Sequence, residues 1–252
     1  MDAATRHQRI LDLLAGAGYE SVPSLATALQ VSEMTIRRDL DHLEASGLIR
    51  RTHGGAVGGG ANEFSLDFGL RRRQQQEAKT RIADAAARHL REDQVVFVDS
   101  GSTTLALSDR LAAIPRLTVV TPSLPLAQLL VAKRMANVHL LGGEVRYDLM
   151  GCVGPITEQA LAAFHLDVAI LGASGVHLER GLCRSTVEEI PLKRQAARQA
   201  DRVLVLATRD KIGRSGAMYF LPASEIDLVI TDTADGVEEL VPAASAGRPP
   251  PR

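Results

Sequence analysis

The sequence predicts an α/β protein in two parts, a small N-terminal winged helix–turn–helix domain and a larger α/β domain with a mostly parallel sheet. Three observations predict it. Residues 54–60 read G-G-A-V-G-G-G, five glycines in seven, where regular structure is costly to hold. Ahead of that cluster, apolar residues recur at helical spacing in three stretches. Behind it, short β-branched runs alternate with helical patterns, as in a sheet whose strands are buried on both faces. The boundaries that follow are a winged helical domain over 1–57, a glycine-rich linker over 58–68, an α/β domain over 69–241 and a proline-rich, disordered tail over 242–252.

Composition excludes several classes. Lys plus Arg is 29 and Asp plus Glu is 30, a formal net charge of −1 over 252 residues, which excludes a histone-like or supercharged chain. Aromatics are 3% with no Trp, too few for an extended base-stacking surface or an aromatic sugar groove. Cys152 and Cys183 cannot by themselves build a disulfide framework or a four-ligand zinc site, and no metal or cofactor is expected. The longest uncharged run, Leu117–Ala132, has 16 residues with two prolines, short of the ~20 apolar residues of a membrane span. The first residues show no basic segment leading into an apolar core, so the expectation is a cytoplasmic protein with no membrane partner.

The first helix is expected over about Arg6–Ala15, with His7, Ile10, Leu11 and Leu14 on one face and Gly16 and Gly18 ending it. A second, about Ser24–Gln30, turns Leu25 and Leu29 inward. After a tight turn at Val31, Ser32 is the expected N-cap of a third helix, about Glu33–Ala45, with Glu33 suiting its positive end. A wheel at about 100° per residue puts Ile36, Leu40 and Leu43 on the core side. Arg38 falls opposite, flanked by Met34, Thr35 and His42, with Arg37 at the border. Long donors and a hydroxyl on the outward N-terminal half are what a helix in the DNA major groove needs. Leu48–Val57 reads as two strands around a Gly-Gly turn, a wing that sets Arg50, Arg51 and His53 beside the DNA backbone. The competing reading is a docking bundle with solvated arginines, since residues 1–56 hold six Lys/Arg against seven Asp/Glu. Four of those six, however, lie on the third helix and wing.

These residues carry a family resemblance. V-S-E-M-T-I-R-R-D-L-D-H-L-E-A-S-G-L-I-R-R-T-H-G-G-A, residues 31–56, resembles the helix–turn–helix signature of DeoR-type bacterial transcription regulators. The resemblance implies a repressor, less often an activator, of carbohydrate-use genes that binds a double-stranded operator.

The larger part is expected to open with one helix over about Leu70–Leu90, whose Arg71-Arg72-Arg73 run reads as a solvated face in preference to a second contact with DNA. Six apolar runs follow, at Val95–Val98, Leu117–Val120, Val138–Leu141, Val168–Leu171, Val203–Leu206 and Leu228–Ile230. In parallel sheets ligands sit beyond the carboxyl ends of the strands. There the chain places Asp99-Ser100-Gly101-Ser102-Thr103-Thr104, Thr121-Pro122-Ser123, Gly142-Gly143-Glu144 and Gly172-Ala173-Ser174-Gly175. Glycine for a tight turn, hydroxyl donors and a helix N-terminus suit a phosphate or carboxylate.

Residues 64–232 resemble the C-terminal sensor domain of the same family, which is similar in fold to ribose-phosphate isomerases and glucosamine-phosphate deaminases. That resemblance implies a phosphorylated sugar as effector, its phosphate held by Asp99, Ser100, Gly101, Ser102, Thr103 and Thr104. Ser123, Gly142, Gly143 and Ser174 would line the pocket, and Glu188 or Glu189, Lys193 and Lys211 would complete it. The chain departs from the family at Ser174, where an aspartate is common, at Thr208-Arg209-Asp210 before Lys211, and at Pro191 early in a helix.

An isomerase or deaminase needs a carboxylate or histidine placed to move a proton, and Ser174 cannot serve. No nucleophile elbow, zinc-helix or phosphate-loop enzyme motif is present. His139 reads as a satisfied core histidine. Glu188 and Glu189 remain as carboxylates, so catalysis is disfavoured rather than excluded, and no catalytic residue is assigned. The favoured reading is a DNA-binding regulator acting as a homodimer or homotetramer. The alternatives are a sugar-phosphate enzyme with a DNA-binding appendage and a nonspecific DNA-compacting protein, the latter opposed by the neutral charge.

Overall fold

The computed structural model describes residues 2–17, 19–46, 48–52, 54–58, 68–183 and 185–243. Two compact units divide the chain, Met1–Asp67 and Phe68–Arg252. Of the linker expected at 58–68, residues 59–67 lie outside the described residues, and Phe68 already opens a helix; of the tail, 244–252 lie outside.

The first unit runs α1 (Ala3–Ala17), β1 (Tyr19–Ser21), α2 (Val22–Leu29), α3 (Glu33–Ala45), β2 (Ile49–Thr52) and β3 (Gly55–Gly58). Helix α1 continues through Gly16, so that glycine does not end it as the sequence suggested. Ser21 caps α2 by accepting the Ser24 N–H, and Pro23 fits the first turn, where no N–H is needed. Gln30 takes a left-handed conformation, φ 55°, which reverses the chain between α2 and α3. Ile10, Leu14, Leu25, Ile36, Leu40 and Leu43 are sealed in one core. Strand β1, absent from the sequence reading, pairs antiparallel with β3, and β3 with β2, closing a three-stranded wing. Gly55 is already in β3 opposite Thr52, so the expected Gly-Gly turn keeps Gly54 alone of its two glycines.

The second unit runs α4 (Phe68–Arg73), α5 (Gln76–Ala87), β4 (Val95–Val98), α6 (Ser102–Leu105), α7 (Ser108–Ala113), β5 (Thr118–Thr121), α8 (Leu124–Ala132), β6 (Val138–Leu140), β7 (Glu144–Arg146), β8 (Gly151–Val153), α9 (Pro155–Leu161), β9 (Leu166–Gly172), β10 (Gly175–His177), β11 (Gly181–Cys183), α10 (Ile190–Gln199), β12 (Ala200–Leu206), β13 (Tyr219–Leu221), β14 (Leu228–Asp232) and β15 (Val237–Leu240). The single helix expected over 70–90 is two, broken where Gln75 turns left-handed at φ 51°. Pro191 sits in the first turn of α10, after a 3-10 turn at Val187–Glu189 closed by a Thr186–Glu189 capping box, so it begins that helix rather than kinking it.

The seven-stranded sheet has the order β15-β14-β12-β9-β4-β5-β6. Every neighbouring pair is parallel except β14–β15, whose edge strand the sequence reading did not include. Alternate side chains feed two cores. Val96, Val98 and Ile170 pack with α5 and α7 residues such as Ile82 and Leu111, while Phe97, Ala169 and Leu171 pack with Leu192 and Ala196 of α10. This is why the runs lack polar alternation. The chain moves from β4 out to β5 and β6, then returns to lay β9 on the other side of β4. That reversal opens a crevice at the carboxyl ends of β4 and β9.

Candidate functional site

In the first unit, Ser32 Oγ accepts the Thr35 N–H at 3.2 Å and meets Thr35 Oγ1 at 2.9 Å, so both hydroxyls serve the N-terminus of α3. Met34 is 61% exposed and Arg38 is exposed, as the wheel required. Arg37, also exposed, reaches Glu33 at 3.4 Å, a contact of little weight in water. Arg51 is not free beside the wing. Its guanidinium pairs with Asp41, and its N–H donates to Glu44 at 2.8 Å. His53 and the side chain of Arg50 lie outside the described residues.

Beneath this surface lies a group that sequence reasoning missed. Asp39 is buried on α3 and takes Arg6 at 2.9 Å and His7 at 2.8 Å from α1. Burial opposes its ionisation, but those two partners outweigh burial and hold the carboxyl below its ordinary value. The available signal was its place between Ile36 and Leu40 on the inward arc.

In the second unit, the crevice is built around Asp99. Gly172 donates its N–H to Asp99 Oδ2 at 2.9 Å, Lys193 Nζ lies 2.8 Å from the same oxygen, and Lys193 also donates to the Gly172 carbonyl at 3.0 Å. Asp99 and Lys193 are both buried. Burial pushes the Asp99 carboxyl up. Burial alone would lower the Lys193 ammonium, but Asp99 and Glu189 outweigh it and hold it above the ordinary lysine value. An inward carboxylate already engaged in this way has no capacity to receive an anion, which corrects the direct phosphate contact expected of Asp99. Thr104 is likewise spent: its hydroxyl donates to the Asp99 and Gly101 carbonyls at 2.7 and 3.0 Å.

Ser100, Ser102 and Thr103 are half-buried at the same strand end. Gly101 has an extended backbone, φ −179°, so its turn does not need glycine. Glycine is needed elsewhere. A Cβ at Gly151 would strike Ser100 Oγ, which brings β8 against the loop, and one at Gly143, with φ 149°, would strike Thr157 Oγ1. Gly142 gives its carbonyl to Thr157 at 2.8 Å and has open space where a Cβ would stand. Ser123 is buried, capping α8 through the Leu126 N–H at 3.4 Å. Ser174 is half-buried just past β9.

The choice between Glu188 and Glu189 is decided by geometry. Glu188 turns outward to Arg146 at 2.9 Å, whereas Glu189 lies 3.7 Å from Lys193 and accepts Thr186 Oγ1 at 2.7 Å. Lys211 pairs with Asp210 at 2.9 Å. Arg209 pairs with Glu238 at 2.9 Å on the surface, and Arg184 lies outside the described residues. His139, expected in the core, is exposed on the edge strand β6 against Phe164. Cys152 and Cys183 are buried, as expected.

Lys79 is the second residue that sequence reasoning missed. It is buried among Ala78, Ile82, Ala83 and Ala86 on the inward face of α5, and its Nζ donates to the Gln74 carbonyl at 2.8 Å and to that of Arg71. Burial holds it down at about 8, with Arg71 and Lys211 close enough to add to the effect. Lys79 and Ser102 share a cleft of about 240 Å³ that Arg72, Thr80, Ser108 and Arg110 also line.

The sequence comparisons assign these two regions. Residues 6–58 match the DeoR-like helix-turn-helix domain, and residues 74–233 match the DeoR C terminal sensor domain. The chain belongs to the DeoR family of transcriptional regulators. This DeoR-family regulator is 36% identical over 240 residues to the HTH-type transcriptional regulator GlpR of Haloferax volcanii, covering 94% of each chain. It is 32% identical to the glycerol-3-phosphate regulon repressor of Escherichia coli, covering 92% of each, and 32% identical to the HTH-type transcriptional repressor GlcR of Bacillus subtilis, covering 88% of this chain and 86% of that one. These relatives are regulators, not enzymes. The sensor fold is that of a D-ribose-5-phosphate isomerase solved with phospho-erythronic acid, at 16% identity and a TM-score of 0.50 over 66% of this chain and 98% of that one. Among the described residues no helix is long and apolar enough to cross a membrane.

Proposed function

We propose that this regulator represses carbohydrate-metabolism genes and is controlled by a phosphorylated sugar held at the carboxyl ends of β4, β5, β6 and β9. The observation that carries the reading is the Asp99–Lys193 pair at the strand-order reversal. It fixes the Ser100–Thr103 loop from beneath and leaves the loop's donors, with Gly142 and Ser174, to face a ligand. Asp99 and Lys193 act as positioning residues. Ser100, Ser102 and Thr103 contact the phosphate, and Lys79, which shares a cleft with Ser102, supplies a cation there.

Arg38, Arg37, Met34 and Thr35 on α3 meet base edges, while Ser32, Arg50, Arg51 and His53 meet the backbone. Two or more copies set recognition helices on repeated half-sites. Effector and operator favour different arrangements of those copies, with a coupling of order 1–3 kcal/mol. The name of the Escherichia coli relative, a glycerol-3-phosphate regulon repressor, supports a small phosphomonoester. The test is binding to the chain's own upstream DNA at low salt, with glucose 6-phosphate, fructose 1-phosphate, ribose 5-phosphate and glycerol 3-phosphate added in turn. Salt-sensitive, sequence-selective binding that one of them shifts is expected. No preference for any promoter fragment, with or without the phosphates, overturns the reading, and turnover of a sugar phosphate would favour the enzyme alternative.

A further inference from the structure

The arginine run of α4 is not one solvated face. Arg72 is exposed and the side chain of Arg73 lies outside the described residues, but Arg71 is half-buried. The helix seats it there. Phe68 is buried in the same core as Leu105 of α6, and Arg71, three residues on, shares its side of α4. The Arg71 guanidinium lies over the Phe68 ring, with Cζ 5.9 Å from the centroid. Helix α4 packs on α6, which begins at Ser102, and so stands beside the Ser100–Thr103 loop.

Arg71 reaches from there across the strand ends. It donates to the Asp148 carbonyl at 3.0 Å. The Asp148 side chain takes Arg146 at 3.1 Å, and Arg146 reaches Glu188 at 2.9 Å, next to the Glu189 that faces Lys193. Three residues beyond Asp148, Gly151 lies against Ser100. The turn that accepts Arg71 therefore spans the crevice, from the loop after β4 to the start of α10.

Like charges gather at that opening. Arg71 stands close enough to Lys193 and Lys79 to disfavour both ammonium forms, and its own carbonyl holds Lys79 Nζ. Cations from α4, α5 and α10 are thus drawn together, and an anion seated among them relieves their repulsion. The planar guanidinium fork suits a phosphate. Its hydrogen bond to a charged oxygen is about twice as strong as one to a neutral carbonyl such as that of Asp148.

We propose that Arg71 is an effector-binding residue that exchanges the Asp148 carbonyl for an oxygen of the sugar phosphate. The exchange shifts α4, the first helix after the DNA-binding unit along the chain, and so couples occupancy of the crevice to operator binding. This rests on the crevice being the phosphate site, as proposed above.

Calorimetric titration of the full chain with the four phosphates named above tests it, alongside operator binding with and without each at saturation. Arg71→Gln should weaken binding of the phosphate that the native chain takes by about tenfold or more, as the loss of a charged hydrogen bond does. Its affinity for operator alone should stay native. With the variant saturated, the shift in operator affinity should be smaller than in the native chain. Arg88→Gln, the same loss of charge at the exposed far end of α5, should bind as the native chain does. Circular dichroism checks folding. If Arg71→Gln does not fold, Arg71→Lys is read in its place, with a severalfold loss expected because an ammonium lacks the fork. Native affinity in the variant, or an equal loss in Arg88→Gln, overturns the contact while leaving the crevice as the phosphate site. Weakened binding with a full operator shift at saturation overturns the coupling through α4 and keeps the contact. A native chain that binds none of the four overturns the phosphate reading itself.

Discussion

Lys193 Nζ stands 2.8 Å from Asp99 Oδ2 with both groups buried, joining α10 to the end of β4 where the order of strands reverses. Gly172 closes the circuit from the end of β9. Asp99→Ala leaves a buried ammonium with Glu189 at 3.7 Å as its remaining carboxylate. Stability should fall by about 3–5 kcal/mol in urea unfolding, because an uncompensated buried charge is costly. The effector response should vanish while the folded fraction keeps its operator affinity. Asp99→Leu with Lys193→Met should cost less than either single change; equal or greater cost would show that the charge pair is itself a net source of stability.

Asp39 makes the N-terminal unit sensitive to acid. Arg6 and His7 hold its folded carboxyl below the unfolded value of 3.8. Its contribution is therefore present above that value and lost as pH falls through the lower, folded one. Hydrogen exchange in α1 and α3 should show protection collapsing on that limb, and Asp39→Asn should flatten the pH dependence. An unaltered acid limb in the variant would assign it to other groups.

Arg38 is exposed on α3 with no pairing acid among the described residues. Arg38→Ala should cost about 1–3 kcal/mol of operator affinity and relax preference at one base position. Titrations against operator and scrambled duplex decide its role, since an equal loss on both makes it a phosphate contact.

Asp41 competes with DNA for Arg51. Asp41→Asn should free that guanidinium and tighten binding to any duplex severalfold. The slope of log affinity against log salt should steepen by about one unit. An unchanged slope would place Arg51 away from the duplex.

Lys79 gives the sensor a titration near neutral pH. Its folded value is about 8 against 10.5 unfolded, so between the two the unfolded chain holds more protons and stability rises with pH. An anion seated beside it favours the ammonium. Effector binding should then take up a proton, and affinity should fall as pH climbs past about 8. Calorimetry in buffers of different ionisation heat reads the proton directly, and Lys79→Met should abolish the uptake.

Much of this was legible in local pattern. The arc of Ile36, Leu40 and Leu43 set the outward face of α3, and the β-branched runs marked six strands of the sheet to within a few residues. Both signals depend on near neighbours along the chain, which periodicity records. Gln75 escaped notice because a glutamine forced left-handed carries no mark in sequence, and β15 because a short charged strand lacks an apolar run.

By itself the sequence determined two domains, a recognition helix, a parallel sheet and a hydroxyl-rich loop after its first strand. Tertiary structure alone decided that Asp99 turns inward to Lys193 rather than outward to a ligand, that Glu189 and not Glu188 joins them, and that Arg51 is held by Asp41. Each of those outcomes depends on which strands and helices become neighbours across the fold. A charged side chain takes the best partner within about 4 Å, and distance in space is what a linear pattern does not encode.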